Sequence, residues 1–331
     1  MYETFYKLRD KPFQLGPDPR FFFGSRSHKR AMAYLRYGLN QGEGFIVITG
    51  DIGTGKTTLM RTLFTDLVRE NVVAAQLVTT QLEADDMLRM VSASFGLAHE
   101  GISKAGLLKN LETFLAARAR EGKRVLLVVD EAQNIPVRSL EELRMLSNFQ
   151  TGDKALLQSF LLGQAEFRHT LQSDGMEQLR QRVIAAYHLD PLDADETQSY
   201  IEHRLRRAGW TGDPTFTDAA YAAIHQATGG IPRRINTFCD RLLLYGFLEE
   251  IHEIDGETVA AVDEELRQET PRSNRPLETP GGVRSEPSGA AVEQRLTALE
   301  LSMRTLQESI HRELGLIRQA VSHDNDLAEN P

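Results

Sequence analysis

The sequence predicts an α/β domain built on a parallel sheet covered on both faces, followed by an all-helical lid, a linker and a separate C-terminal helix. Three observations carry this. Short apolar runs alternate with amphipathic segments from Phe45 to about Leu189. Residues 191–266 read as helical throughout. A stretch rich in proline and glycine then isolates a heptad pattern.

Residues 1–44 begin with aromatics and prolines (Pro12, Phe13, Pro17, Pro19, Phe21, Phe22, Phe23) and turn helical through Ala31–Leu39, leading into the α/β domain. Within that domain, residues 45–190, the strand candidates are Phe45–Thr49, Val73–Val78, Val125–Val129 and Gln158–Leu162. Their near-continuous apolar character is what strands buried on both faces need. In the helical domain, 191–266, the helices are placed at Asp195–Ala208, Thr217–Thr228, Ile231–Glu249 and Asp255–Leu266. The linker, 267–290, holds Pro271, Pro276, Pro280, Pro287, Gly281, Gly282 and Gly289 with few apolar residues and is expected to be disordered. As a random coil it would reach about 25–30 Å. Beyond it Val292, Leu296, Leu299, Met303, Leu306, Ile310 and Ile317 fall at alternating four- and three-residue steps, interrupted once at Glu313. That seam predicts a coiled-coil helix over 291–321, roughly 45 Å long, with 322–331 as a disordered tail. A single amphipathic helix docked on its own domain is the plainer alternative.

Composition narrows the class. The chain has 331 residues, 41% hydrophobic and 26% charged, as in globular proteins. Its net charge of −9 supplies no general attraction to nucleic acid or anionic lipid. The lone cysteine, Cys239, excludes an internal disulfide and sits in an apolar run, where it reads as a packed core thiol. No signal-peptide pattern opens the chain, and no apolar run approaches the roughly 20 residues that span a bilayer. The expected location is cytoplasmic, without direct membrane insertion.

Residues Gly50-Asp51-Ile52-Gly53-Thr54-Gly55-Lys56-Thr57 match G-x-x-x-x-G-K-[ST] between an apolar strand and a predicted helix, Thr57–Leu67, with Thr58 following. Glycines let backbone N–H groups turn toward phosphates, and the helix N-terminus adds a favourable dipole. Lys56 is expected to reach the β- and γ-phosphates of ATP, and the Thr57 hydroxyl to ligate Mg²⁺. The run Val125–Val129 ends in Asp130-Glu131. Asp130 is placed to hold Mg²⁺, and Glu131 to polarise the attacking water. Together the motifs predict Mg-dependent hydrolysis of ATP to ADP and phosphate. Asp130-Glu131-Ala132-Gln133 is superficially like a helicase motif, but no second helicase domain follows.

Beyond these motifs, the chain resembles an AAA+ ATPase of the ExeA/GspA-like secretion group, and most closely the ATPase associated with exosortase (PEP-CTERM) and exopolysaccharide loci. The resemblance runs from the first residues to about 266. It is carried by Phe5-Tyr6-x-Leu8, Lys11-Pro12-Phe13, Pro17-Asp18-Pro19, His28-Lys29-Arg30-Ala31-Met32-Ala33-Tyr34-Leu35 and Asp130-Glu131-Ala132-Gln133-Asn134. It continues through Leu143–Phe149, Leu162-Gly163-Gln164, Leu179-Arg180-Gln181-Arg182 and Gly229-Gly230-Ile231-Pro232-Arg233-Arg234-Ile235-Asn236.

The resemblance implies roles. Gln164 stands as the sensor 1 residue, with a strand-end turn residue as the plainer reading. Arg182 stands where the group places its arginine finger, with Arg180 as the alternative. Arg233 stands as the sensor 2 arginine of the lid. The aromatic N-terminal block would pack either on the adenine edge or simply in a core. A ring-like homo-oligomer, such as a hexamer, and inner-membrane export or polysaccharide-assembly proteins are the implied partners. Peripheral attachment at the inner membrane would run through them. Larger members of the group carry a membrane span and a peptidoglycan-binding domain, neither of which is read in this sequence, so a cell-wall role is not carried over. A second functional reading is a DNA-associated regulatory ATPase like the transposition regulators of this branch; the acidic charge counts against it.

Overall fold

The computed structural model describes residues 1–269 except 17, 68, 69 and 79–83. The expected coiled coil and tail, and all but the first three residues of the expected linker, lie outside the described residues. The elements run α1 (Tyr2–Phe5), a 3₁₀ turn Pro19–Phe21, α2 (Arg26–Gln41), β1 (Phe45–Gly50), α3 (Lys56–Leu67), β2 (Val72–Val78), α4 (Ala84–Ser94) and α5 (Lys104–Arg120). There follow β3 (Arg124–Asp130), a 3₁₀ turn Ala132–Asn134, α6 (Val137–Leu146), a short hairpin of β4 (Gln150–Thr151) and β5 (Lys154–Ala155), β6 (Gln158–Gly163), α7 (Glu166–Gln172), α8 (Glu177–Arg180) and β7 (Val183–Leu189). The described residues end with α9 (Ala194–Arg207), β8 (Thr215–Phe216), α10 (Asp218–Thr228), α11 (Pro232–Leu248), β9 (Glu253–Ile254) and α12 (Gly256–Glu269).

The main sheet is parallel, in the order β2-β3-β6-β1-β7. Alternation along its strands sorts side chains to two faces. Phe45, Val47, Val125, Leu127, Val129 and Leu161 join one core with residues of α4, α5, α6, α7 and α8. Ile46, Ile48, Leu126, Val128, Phe160 and Leu162 join a second with α2 and α3. The four predicted strands are all present. The fifth, β7, was not predicted as a strand. Among the described residues it pairs with β1 alone, at the sheet edge, and its residues Ala185, Ala186 and His188 make a weaker apolar run than a central strand needs.

A third core is formed by α9–α12 together with the N-terminal segment. Tyr2, Tyr6, Leu8 and Phe13 pack among Tyr200, Ile201, Leu205, Phe238, Cys239, Leu242 and Leu243. Polar ties fix the same contact: the Tyr2 hydroxyl donates to Asp240 (2.6 Å), Tyr6 to the Ile251 carbonyl (2.8 Å), and Arg204 Nε to the Pro12 carbonyl (2.6 Å). The first part of the aromatic block is therefore core. Cys239 is fully buried, and desolvation pushes its thiol pKa far up, as expected of a packed thiol. The last helix extends to Glu269, three residues into the expected linker. Arg267–Asp263 and Gln268–Glu264, both at i,i+4 spacing, and an Arg241–Glu269 ion pair support that extra turn.

Candidate nucleotide-binding site

The carboxyl ends of β1, β3 and β6 open onto a cleft of about 370 Å³. Its floor is the loop from β1 to α3. Ile52, Gly53, Thr54, Gly55, Lys56, Thr57 and Thr58 all line it, joined by Glu131, Gln164 and Arg233. Gly50 and Asp51 sit at the root of the loop, where their carbonyls accept from Lys56 Nζ at 2.7 and 3.0 Å. The Asp51 carbonyl also accepts from Thr54 Oγ1 (2.9 Å), bracing the turn. Gly53 (φ +89°) and Gly55 (φ +99°) lie where a side chain would be strained. A Cβ at Gly53 would come within 2.5 Å of Arg233 Cβ, and one at Gly55 within 2.8 Å of His28 Nε2. The loop is thus held between a helix of the lid above and a histidine of α2 beneath.

Lys56 is 7% exposed, and desolvation lowers its pKa, while the charges of Glu131, Asp130 and Asp51 oppose that shift. Asp130 is 4% exposed, and burial raises its pKa against the Glu131 N–H and the Thr57 hydroxyl, which favour the carboxylate. Thr57 Oγ1 donates to Asp130 Oδ2 at 3.1 Å, and the Glu131 N–H donates to Oδ1 at 3.0 Å. Two hard oxygen donors side by side at the start of a helix fit Mg²⁺. Glycine-shaped backbone and a buried lysine fit a polyphosphate.

Glu131 has φ 55° and ψ 41°, left-handed values that cost a non-glycine residue about 1–2 kcal/mol. Its Oε2 accepts from Gln133 Nε2 (2.5 Å) and Gln164 Nε2 (3.4 Å). Gln164, just past β6, therefore lies beside Glu131. Across the cleft, Pro232 sets the first turn of α11, and the Arg233 N–H donates to the Gly53 carbonyl (3.2 Å), so the lid touches the loop directly. Arg234 does not line the cleft. Neither does Arg182, whose Nη1 donates to Ser147 Oγ (2.8 Å) and Nη2 to Asn148 Oδ1 (2.5 Å). Arg180 donates to the Leu171 carbonyl (3.2 Å) and is exposed.

Sequence reasoning gave no role to His28, to the lid residues Tyr200, Arg204 and Asn236, or to Gln133. His28 lies buried against the loop, its Nδ1 2.7 Å from Ser25 Oγ, the N-cap of α2, which also accepts the His28 N–H. With that hydroxyl donating to Nδ1, the ring proton sits on Nε2, the nitrogen turned toward the loop and the Thr54 backbone. Burial lowers its pKa to about 4, so the ring is neutral. At the far end of the cleft, Phe21, Phe22, Phe23, Tyr200, Arg204 and Asn236 form a second wall. The Arg204 guanidinium stacks over Phe21 (5.1 Å) and donates to Tyr200 (3.1 Å), and Tyr200 donates to Asn236 (2.7 Å). The later part of the aromatic block thus does line the cleft. Gln133 also lies at the site, accepting the Gln164 N–H and donating to Glu131. Pairs distant in sequence, such as Tyr200 and Asn236, leave no spacing signal; the Ser25-x-x-His28 start of α2 is a capping pattern that marks the helix but not its contact.

Fold and site define a P-loop NTPase of AAA+ architecture. Residues 39–171 match the model of the AAA domain family. The chain is 39% identical over 255 residues to General secretion pathway protein A of Aeromonas hydrophila, an alignment covering 77% of this chain and 46% of that protein. It therefore spans about half the length of that curated relative. Among solved structures, Cdc6p of Pyrobaculum aerophilum superposes with a TM-score of 0.58 at 15% identity, covering 80% of this chain and 70% of that one. The ORC2 protein of Aeropyrum pernix gives 0.55 at 16% identity, covering 72% and 66%. These likenesses show the fold alone. Among the described residues no helix is long and apolar enough to cross a membrane.

Proposed function

We propose that this protein is an ATPase that energises or regulates a secretion system, and that its pathway is export of exopolysaccharide or sorted surface proteins. The ATPase reading rests above all on one observation: the Thr57–Asp130 contact, the Glu131–Gln164 pair and Arg233 converge on a single glycine-built phosphate cradle. Backbone N–H groups from Gly53 to Thr57 bind the phosphates, and Lys56 neutralises their charge. Thr57 and Asp130 would hold Mg²⁺, which screens the β- and γ-phosphate oxygens when bound. Glu131 accepts the proton of the attacking water, Gln164 orients that water, and Arg233 supplies a cation from the lid. Arg182 acts on the site of a neighbouring subunit in a ring. The likeness to General secretion pathway protein A supports the secretion setting. The exopolysaccharide setting, and partners in the inner membrane, rest on the sequence resemblance.

Phosphate release by wild type, Lys56→Ala and Glu131→Gln tests the chemistry. Lys56→Ala should lose ATP binding, and Glu131→Gln should bind ATP yet turn over at least about 100-fold more slowly. Turnover by Glu131→Gln at the wild-type rate would show that another group activates the water. Affinity capture of the intact chain with membrane proteins tests the pathway, and recovery of no export or polysaccharide-assembly component would refute it.

A further inference from the structure

Within Asp130-Glu131-Ala132-Gln133, the last residue takes no part in the chemistry proposed above, on which the following inference rests. Gln133 lies in the 3₁₀ turn Ala132–Asn134 and is half-buried. Its Oε1 accepts the backbone N–H of Gln164 at 2.9 Å. Only an oxygen can accept that N–H, so the amide orientation is fixed, and its Nε2 must be the atom facing Glu131 Oε2 at 2.5 Å. The Gln164 side chain reaches the same oxygen at 3.4 Å. One side chain thereby joins the end of β3, where Glu131 stands, to the end of β6, where Gln164 stands.

We infer that Gln133 is a positioning residue: by bridging Glu131 and Gln164 it sets the rotation of the Glu131 carboxylate toward the attacking water. Three features favour this over a surface polar role. Both functional ends of the amide are engaged. The partners are the Glu131 carboxylate and the backbone N–H of Gln164, two residues that line the cleft just past β3 and β6. Glu131 also holds a left-handed backbone that its surroundings must sustain. A donor on a carboxylate oxygen restricts rotation about the terminal side-chain bond, which is otherwise broad. The bridge also carries any displacement of Gln164 to Glu131, so a change sensed at the end of β6 reaches the base.

The experiment uses the full chain with two substitutions. Gln133→Leu keeps size and removes both bonds. Gln133→Glu keeps an acceptor for the Gln164 N–H and removes the donor to Glu131. Steady-state turnover and equilibrium binding of a fluorescent ATP analogue are measured for each, alone and combined with Glu131→Gln. Both single variants should lose about 10- to 100-fold in kcat with nucleotide affinity and KM within about threefold of wild type. Neither should lower the residual rate of Glu131→Gln further, because Gln133 acts through Glu131. Three results would overturn the assignment: wild-type or faster turnover by Gln133→Leu, a loss confined to Gln133→Leu, or an additive loss in the double variant. A parallel fall in nucleotide binding would mark Gln133 as merely structural and overturn it too. Wild-type protein without any turnover would instead refute the ATPase reading, and the positioning role with it.

Discussion

Replacing His28 by Gln should change how the fold responds to acid, by an amount the structure sets. The ring is 5% exposed, and burial brings its pKa from 6.5 to about 4. In the unfolded chain it titrates near the ordinary value. Below about pH 6.5 the unfolded state therefore binds a proton that the folded state refuses, and stability falls as pH drops toward 4. At full development the loss is about 3 kcal/mol, from 2.3RT for each pH unit between the two pKa values; at pH 5 it is about 2 kcal/mol. That is a sizeable part of a typical folding free energy of about 5–15 kcal/mol. The assay is urea unfolding of both proteins at about pH 7.5, 6.5, 5.5 and 5. His28→Gln removes the titrating ring and keeps a donor for the Thr54 backbone. Its stability relative to wild type should rise by about 2 kcal/mol between pH 7.5 and 5. Parallel curves for the two proteins would refute the neutral, buried ring.

Two further outcomes follow from the cleft and its surroundings. Gly53→Ala, which puts a methyl group within 2.5 Å of Arg233 Cβ at a φ of +89°, should raise the Kd for ATP at least about tenfold; unchanged affinity would mean the lid yields without cost. If Arg182 serves a neighbouring site, specific activity should rise with protein concentration. Arg182→Ala should then lose on the order of 10³-fold in turnover, and mixing it with Lys56→Ala should restore part of it. Rescue shown by Arg180→Ala instead would move the finger to Arg180, and no rescue with either would mean the site is complete within one chain.

Much of this protein was legible in its sequence because the physics involved is local. A P-loop needs glycines, a lysine and a hydroxyl within eight residues, and those constraints appear as a string from Gly50 to Thr57. Strands buried on both faces must be apolar at consecutive positions, so β1, β3 and β6 stood out within a residue of their observed ends. Three of the lid helices were legible to one residue for the same reason, an apolar stripe at helical spacing, while the last runs three residues past its expected end. The edge strand β7 was not legible as a strand, because pairing with β1 compensates for alanines and a histidine that its own pattern does not favour. Nor did local pattern divide the aromatic block, whose first part fills the lid core while Phe21, Phe22 and Phe23 face the cleft. Tertiary structure also set what surrounds the phosphate loop: His28 beneath it, Arg233 above it, Arg204 over Phe21, and Gln133 between two strand ends. Each of these contacts joins segments whose separation carries no periodic signal, or turns on the orientation of one side chain. The sequence alone therefore determined which chemistry the loop can do, through residue types at fixed spacing. Only the packing of sheet, N-terminal segment and lid decided which side chains stand around it, since that depends on distances created when the three cores close.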